Sequence, residues 1–189
     1  MLNDASLPQA FQAIRDKDEQ VLWAGQPDRL PFMLSGVPFL IFGLIWGSID
    51  YFGFIRHMGG AHGIPLGFAV PFFALHLIPC WASMLNMLRL ALVVGNTCYA
   101  VTPKRLLLRS GFWGTDFGTF DLNQIANLDV NVNPIENAHG VGTIRFYSNR
   151  VTTNSGRQLL LASFVGIAKP YDVYKIVRQA LDAKLPAVA

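Results

Sequence analysis

The sequence predicts an α+β protein in which a two-helix transmembrane hairpin is followed by an open antiparallel β barrel, with a C-terminal α-helix closing one end of that barrel. Three observations predict this fold class. Two long stretches carry almost no charge, a series of short strand-like runs follows them, and the end of the chain has the periodicity of an amphipathic helix. The composition agrees, because 52% of the 189 residues are hydrophobic and only 14% are charged, a balance unusual for a soluble domain.

The two uncharged stretches are long enough to cross a bilayer as helices. Residues 31–49 contain no ionisable side chain, and residues 64–88 contain only His76. At 1.5 Å per residue they would measure roughly 28 Å and 37 Å, against about 30 Å for the hydrocarbon core of a membrane. We therefore expect a transmembrane hairpin over residues 31–90, with spans at about 31–50 and 64–88.

The distribution of Lys and Arg around the spans predicts their orientation. The loop between the spans carries only Arg56, whereas basic residues flank the hairpin on both sides, and such residues collect on the cytoplasmic side. We expect a multi-pass protein of the cell (inner) membrane with both termini cytoplasmic and a glycine-rich loop at 57–63 facing outward. The flanking basic residues are Arg15, Lys17 and Arg29 before the hairpin, and Arg89, Lys104 and Arg105 after it.

An N-terminal cytoplasmic segment, residues 1–30, precedes the hairpin. It is polar and acidic, so no cleavable signal peptide is expected. Leu7, Phe11 and Ile14 recur at helical spacing and form a small apolar face. The acidic neighbours at positions 16, 18 and 19 disfavour contact of this face with an anionic bilayer. We expect the segment to dock onto the cytoplasmic domain instead.

The chain after the hairpin predicts a cytoplasmic sheet domain over residues 92–185. Period-two alternation, as in Leu128, Val130 and Val132, gives a strand one buried face. Pro103 marks a tight turn, and the polar stretch 148–156 marks a longer connection. The predicted antiparallel strands are 97–102, 105–110, 116–122, 127–132, 142–148 and 157–163.

The last segment, residues 168–185, predicts one amphipathic helix. Val173, Ile176, Val177 and Leu181 fall on one face of such a helix, and Pro170 stands near its first turn. We expect this apolar face to cover the open end of the barrel.

Four segments of the chain together resemble one known family. They are DEQVLWAGQPDR (18–29), YAVTPKRLLLRSG (99–111), FDLNQIANLDVNVNPIENAHGVGTIRF (120–146) and FVGIAKPYDVYKIVRQAL (164–181). The combination resembles the bacterial pleckstrin-homology (PH) domain membrane proteins of the YdbS/YdbT-like family. The resemblance, over about residues 18–182, implies a PH-like split β-barrel capped by a C-terminal α-helix. It implies no catalytic or cofactor residue.

Lys104, Arg105 and Arg109 are the candidate lipid- or partner-binding residues. Lys104 and Arg105 lie in the turn between the first two predicted strands, and Arg109 lies on the returning strand. The resemblance places this turn in the loop that eukaryotic PH domains use for lipid phosphates, and each basic residue at an anionic leaflet contributes about 1 kcal/mol. Two alternatives stay open. These residues set only the topology, or Arg105 packs on the sheet and pairs with an acid such as Asp121 or Asp129.

Two ionisable residues and two glycines lie in or beside the spans. Asp50 follows the outer end of the first span, whereas His76 lies 12 residues into the second, roughly 18 Å of helix rise. We therefore expect them at different depths, with no proton relay between them. Gly43 and Gly47 have the small-residue spacing of close helix contacts, which fits either a homo-oligomer or packing between the chain's own helices.

No sequence pattern predicts a catalytic site, a cofactor or a metal. Cys80 and Cys98 have neither disulfide nor metal-ligand spacing, His57 and His62 lack a third ligand, and the scattered basic charge does not predict nucleic-acid binding. The predicted function is that of a non-enzymatic inner-membrane scaffold or accessory protein. Its PH-like domain would bind a protein partner or anionic phospholipid headgroups. The alternatives are a small oligomeric transporter or channel accessory subunit, or a membrane enzyme with an unrecognised site.

Overall fold

Two units make up the structure, a computed structural model that describes residues 8–57, 65–151 and 158–183. One unit comprises residues 33–91 and contains the helical hairpin. The other joins residues 1–32 to residues 92–189 and contains both β-sheets. Leu7, His62, most of the predicted loop at 57–63 and much of the polar connection at 148–156 lie outside the described residues.

Four helical segments form the apolar part of the chain. Two continuous runs, Arg29–His57 with 29 residues and Ile78–Asn96 with 19, are long and apolar enough to cross a membrane, judged by length and composition. Only 11% and 17% of their most apolar windows are buried within the structure, so the described part of the chain leaves most of this apolar surface uncovered. The segments are α1 (Arg29–Leu34), α2 (Val37–Gly53), α3 (Leu66–His76) and α4 (Ile78–Val93).

The second predicted span, 64–88, is not one uninterrupted helix, which corrects the expectation. α3 ends at His76 and α4 begins at Ile78, with Leu77 between them. Pro79 explains the break, because it has no N–H to donate to a carbonyl one turn earlier. Helical hydrogen bonds flank the break closely: the amide of Leu77 donates to Phe73 O and that of Trp81 to Leu77 O, each at 3.0 Å.

Small residues on α2 allow α4 to approach it closely. A Cβ built at Gly43 would collide with the side chain of Ser83 and lie 2.9 Å from the carbonyl oxygen of Pro79. A Cβ at Gly47 would lie 3.2 Å from Cys80 Sγ. In the described structure the Gly43 and Gly47 pair therefore packs the chain's own two helices together, which is one of the two uses that its spacing predicted.

In the part of the chain that the structure describes, seven antiparallel strands form two sheets. The four-stranded sheet has the order β1-β2-β3-β4 and the three-stranded sheet the order β5-β6-β7. In the first sheet Cys98 pairs with Arg109 and Val101 with Leu106, while Arg105 pairs with Asp121. The strands are β1 (Trp23–Gly25), β2 (Cys98–Val101), β3 (Arg105–Ser110), β4 (Asp116–Asp121), β5 (Ile125–Asn131), β6 (Val141–Val151) and β7 (Gln158–Ala168).

One hydrophobic core lies between the two sheets and helix α6 (Pro170–Asp182). Tyr99 of β2 stacks on Phe164 of β7 with ring centroids 4.6 Å apart, and Val173 and Val177 of α6 are fully buried against the same cluster. The helix therefore covers the core as predicted, although Ile176 and Leu181 are only partly buried. In the described residues no ladder of hydrogen bonds joins the two sheets, so the barrel is open.

The N-terminal segment is part of the sheet unit, although the sequence placed a domain boundary between residues 1–30 and 92–185. Phe11 is fully buried in a second small cluster with Cys98, Ala100 and Leu107, on the outer face of the first sheet. Ile14 packs against this cluster, so the predicted docking of Phe11 and Ile14 is confirmed. β1 extends the same sheet by pairing Ala24 with Ala100.

Two elements were not predicted. β1 is a strand of three residues, too short to show alternation. The stretch before β6 contains a short helix, α5 (Pro134–Ala138). The Asn133 side chain accepts from the amide of Glu136, and the Glu136 carboxylate accepts from the amide of Asn133. This reciprocal capping box is a local signal that starts a helix.

Candidate functional site

The three predicted binding residues lie on one face of β3, or in the turn before it. Arg105, Leu107 and Arg109 alternate along the strand, so their side chains share the face that the N-terminal segment covers. Lys104 immediately precedes β3 in the turn from β2. The structure therefore brings the three residues onto one hairpin, as expected, but the N-terminal segment reaches the same surface.

Arg105 is held by the N-terminal segment. Its Nε donates to Glu19 Oε1 at 3.1 Å and its Nη2 to Glu19 Oε2 at 2.8 Å, a two-point pairing of guanidinium and carboxylate. Nη2 also donates to the carbonyl oxygen of Ile14 at 3.1 Å and lies 3.4 Å from Asp16 Oδ1. Arg105 thus pairs with an acidic residue, as one of the two alternatives from the sequence proposed. The partner is Glu19, however, and not Asp121 or Asp129.

Glu19 is the centre of this arrangement. Its side chain is fully buried, and it also accepts hydrogen bonds from Thr102 Oγ1 at 2.7 Å and from the amide of Asp16 at 3.2 Å. Burial alone would raise its pKa, but the hydrogen bonds from Arg105, Thr102 and Asp16 together with the Arg105 charge lower it from 4.5 to about 2. The same pairing raises the pKa of Arg105. At neutral pH Glu19 is therefore ionised inside the sheet unit.

The side chain of Lys104 is more exposed to solvent than that of Arg105. Its Nζ lies 3.1 Å from Asp16 Oδ2, and the two side chains are 60% and 57% exposed. A pair this exposed contributes about 0–1 kcal/mol. Lys104 is thus the more accessible basic group of the turn, while Arg105 is committed to a buried carboxylate.

Arg109 lies deeper in the same face, opposite Cys98 on β2 and Phe117 on β4. Its Nε is buried and has no hydrogen-bond partner among the described residues. Burial raises the pKa of the Cys98 thiol to about 11, even though the charge and a hydrogen bond of Arg109 act in the opposite direction. Cys98 is therefore a buried thiol that is protonated at neutral pH.

The basic turn lies at the opposite end of the β2–β3 hairpin from the end of the second apolar run. That run ends at Asn96, and Asn96 Nδ2 donates to the carbonyl oxygen of Gly111 at 3.3 Å. Arg105 is six residues before Gly111 on β3, roughly 20 Å of extended strand. The length of the hairpin thus separates Lys104 and Arg105 from the residue at which the chain leaves its apolar helix.

A second polar site lies within the helical unit. His76 Nε2 is 3.4 Å from Asp50 Oδ1, and the Asp50 side chain is only 3% exposed. The expectation that the two residues stand at different depths is wrong. The first helix continues past its uncharged stretch as far as His57, so Asp50 lies within the helix rather than beyond its end.

Aromatic neighbours complete the surroundings of this pair. Trp46 Nε1 donates to the carbonyl oxygen of His76 at 3.0 Å, and the rings of Phe72 and His76 stack with centroids 5.2 Å apart. The second carboxylate oxygen of Asp50, Oδ2, is buried without a hydrogen-bond partner among the described residues. The described residues contain no cluster of three or more potential metal ligands.

Sequence reasoning missed Glu19, Asp16 and the closeness of Asp50 to His76. The acidic run at 16–19 and the basic turn at 104–105 are complementary in charge, and that complementarity is the signal that could have paired them. No comparable signal marks the contact between Asp50 and His76, because the two residues belong to separate apolar stretches.

Two packed antiparallel sheets capped by a C-terminal helix define a PH-like module. The sequence profile of the bacterial PH domain matches residues 33–180. The chain belongs to the bacterial PH domain family.

A crystal structure of a DUF1696 family protein with a pleckstrin-homology domain, from Shewanella loihica PV-4, is similar to this chain. The similarity covers 96% of this chain and 99% of that one, at 10% sequence identity and a TM-score of 0.42. No curated protein matches the chain.

Proposed function

We propose that this protein is a non-enzymatic scaffold or accessory protein of the inner membrane, of the YdbS/YdbT-like kind. Its helical hairpin crosses the bilayer with both termini cytoplasmic, and its PH-like domain binds a partner at the cytoplasmic surface. The observation that carries the proposal is the apolar surface of the two long helices, most of which no described residue covers. Lipid is the environment in which such a surface is stable.

The bound partner is a protein rather than an anionic lipid held by the basic turn. Arg105 already satisfies a buried carboxylate, and transferring it to a lipid phosphate would leave Glu19 buried and unpaired. Breaking a buried pair in this way costs about 3–5 kcal/mol, more than the roughly 2 kcal/mol that two basic residues gain at an anionic leaflet. Docking of a protein segment onto the domain needs no such exchange.

Membrane insertion and topology are tested together. The full chain should remain in the membrane fraction after alkaline carbonate washing. A periplasm-active reporter inserted after Gly60 should be active, and the same reporter fused to the C-terminus should be inactive. Release by carbonate would overturn the membrane assignment, and the reverse reporter pattern would overturn the orientation.

The choice between protein and lipid is tested by the double substitution Lys104→Gln and Arg105→Gln. The full chain is extracted with its surrounding lipid in polymer-bounded discs, and the anionic lipid that co-purifies is compared with that of the wild type. We expect an unchanged lipid composition and a lowered melting temperature. A loss of anionic lipid without a change in melting temperature would assign the turn to headgroup binding, worth about thirtyfold in affinity if both charges reach the surface.

Asp50 and His76 favour a second candidate, an accessory subunit of a small oligomeric transporter or channel. Ionisable residues inside membrane helices are functional candidates by default, and these two lie within 3.4 Å of each other. Two helices cannot enclose a pathway alone, so this role requires an oligomer. Proton uptake into vesicles carrying the wild type, lost in Asp50→Asn, would support transport, and equal uptake by both would exclude it.

A further inference from the structure

The turn between β3 and β4, residues 111–115, exposes two large aromatic side chains at its tip. Trp113 is 94% exposed and Phe112 is 40% exposed, and their rings contact each other edge to face at 5.1 Å. Exposing an indole this fully to water forfeits the free energy of burying one of the largest apolar side chains. The sequence of the turn, GFWGT, carries no charge.

The conformation of this turn is tightly defined. A Cβ at Gly111 would collide with the carbonyl of Gly114, so the backbone folds back on itself more closely than any other residue would allow. Phe112 and Trp113 therefore project from a compact loop with a set shape. An anchor presented in this way loses little conformational entropy when it binds.

The turn lies beside residues of the sheet unit at which the two apolar runs begin and end. Asn96 is the last residue of the second apolar run, and its side chain donates to the carbonyl oxygen of Gly111 at 3.3 Å. Arg29, the first residue of the first apolar run, lies beside Gly95, with its Nη2 3.8 Å from the place of a Cβ there. The aromatic tip thus adjoins the two points at which the chain passes between the sheet unit and its apolar helices.

We propose that Phe112 and Trp113 form an interfacial anchor that inserts into the headgroup region of the bilayer on the side where both helices leave the sheet unit. The inference rests on the proposed membrane location of the hairpin. Tryptophan is enriched at this level of the membrane because its ring is largely apolar while its N–H reaches water. The anchor adds a third attachment beside the two helix ends and restrains the sheet unit against the membrane surface.

The anchor and the basic turn are separate features at opposite ends of strand β3. Lys104 and Arg105 lie at the end of β3 far from Gly111, where they hold the N-terminal segment. The aromatic turn thereby lies at the end of β3 that meets lipid. The basic turn, at the other end of β3, remains bound to the N-terminal segment.

Tryptophan fluorescence of the full chain in vesicles tests the proposal. The emission of Trp113 is obtained as the difference between the wild type and Trp113→Phe, a substitution at a side chain with few protein contacts. Two quenchers are compared: lipid brominated near the headgroup end of its acyl chains, and acrylamide in the aqueous phase. A matched control places a tryptophan at the other end of the domain, with Ala183→Trp added to Trp113→Phe, because Ala183 lies in a groove with Pro103 of the basic turn.

We expect brominated lipid to remove most of the Trp113 emission, and acrylamide to quench it several-fold less than it quenches the tryptophan introduced by Ala183→Trp. Equal acrylamide quenching at both positions, with no effect of brominated lipid, would overturn the anchor. Shielding of Trp113 from both quenchers would also overturn it and would assign the tip to a protein contact.

The same data separate failure of the anchor from failure of the membrane assignment. Trp46 and Trp81 lie within the two apolar runs, and their emission remains in Trp113→Phe, together with that of Trp23 in β1, which Trp23→Phe removes in a common background. If brominated lipid quenches this remaining emission but not that of Trp113, the hairpin spans the membrane and the anchor is wrong. If neither is quenched, the proposed function itself is wrong.

Discussion

Arg105 of β3 and Glu19 of the N-terminal segment are joined by two hydrogen bonds across 86 positions of the sequence, at 3.1 Å and 2.8 Å. The pair joins the two parts of the sheet unit, residues 1–32 and 92–189, which the helical hairpin separates along the chain. A residue that would be assigned to ligand binding from its place in a basic turn therefore has a structural role as well.

Removing the charge of Glu19 should destabilise the sheet unit. In Glu19→Gln the guanidinium of Arg105 loses its buried anion, and we expect a loss of about 3 kcal/mol in the free energy of unfolding. Lys104→Gln, which breaks the exposed contact with Asp16, is the matched control and should cost at most about 1 kcal/mol. Hydrogen exchange of the β2 and β3 amides in the full chain measures both. Equal protection in the two variants would contradict the role of Glu19.

Titration of Glu19 should lower the free energy of unfolding of the sheet unit at acidic pH. Its pKa is lowered from 4.5 to about 2 in the folded protein, so its contribution is complete above about pH 4.5 and is lost as the pH falls towards 2. The contribution integrates to about 3 kcal/mol at neutral pH. Denaturation between pH 2 and 6 should show a steeper fall for the wild type than for Glu19→Gln. Parallel curves would show that the carboxyl titrates normally.

Phe11 should stabilise the sheet unit from outside its main core. The side chain is fully buried against Cys98, Ala100 and Leu107, and Phe11→Ala should cost about 3–5 kcal/mol. Phe112→Ala removes the same group from a side chain that is 40% exposed; it is the size-matched control in detergent and should cost clearly less than Phe11→Ala. Thermal melts followed by near-ultraviolet circular dichroism distinguish them. A small effect of Phe11→Ala would mean that the segment is not docked in solution.

Gly43 and Gly53 should respond in opposite ways to the same substitution. A Cβ at Gly43 meets Ser83 and the backbone of Pro79, whereas nothing lies within 4 Å of a Cβ at Gly53 on the same helix. Gly43→Ala should destabilise the hairpin by about 1–3 kcal/mol through overpacking. Gly53→Ala should be neutral or gain up to about 1 kcal/mol from helix propensity. Unfolding in mixed detergent micelles measures the difference, and similar results for the two variants would refute the close helix contact.

Asp50 and His76 should be energetically coupled. A double-mutant cycle with Asp50→Leu and His76→Leu should show a coupling of about 1 kcal/mol, the usual scale for polar contacts between membrane helices. His76→Leu alone should be the most damaging variant, since it leaves the buried carboxylate without the imidazole. The double variant should recover part of this loss. Additive effects of the single substitutions would show that the contact has no energetic role.

The strand pattern was predictable because it is a local property. β3 was predicted with its observed ends, and β2 and β4 to within one residue, since alternation and Pro103 act over a few positions. β1 was missed because three residues form a strand only where the free edge of β2 supplies hydrogen-bond partners. The break at Leu77 had a local cause in Pro79, but a proline inside an apolar stretch does not by itself say whether the helix will kink or continue.

The sequence by itself determined the two apolar helices, the series of strands and the amphipathic final helix, because hydrophobic periodicity and chain length act within each segment. Only the tertiary structure decided which charges meet. Glu19 lies 86 positions from Arg105, and Asp50 lies on a different helix from His76. An ion pair depends on a distance of a few ångströms between atoms, and only the packing of helices and sheets sets that distance. For the same reason the basic turn could be found from the sequence, while its use to hold the N-terminal segment could not.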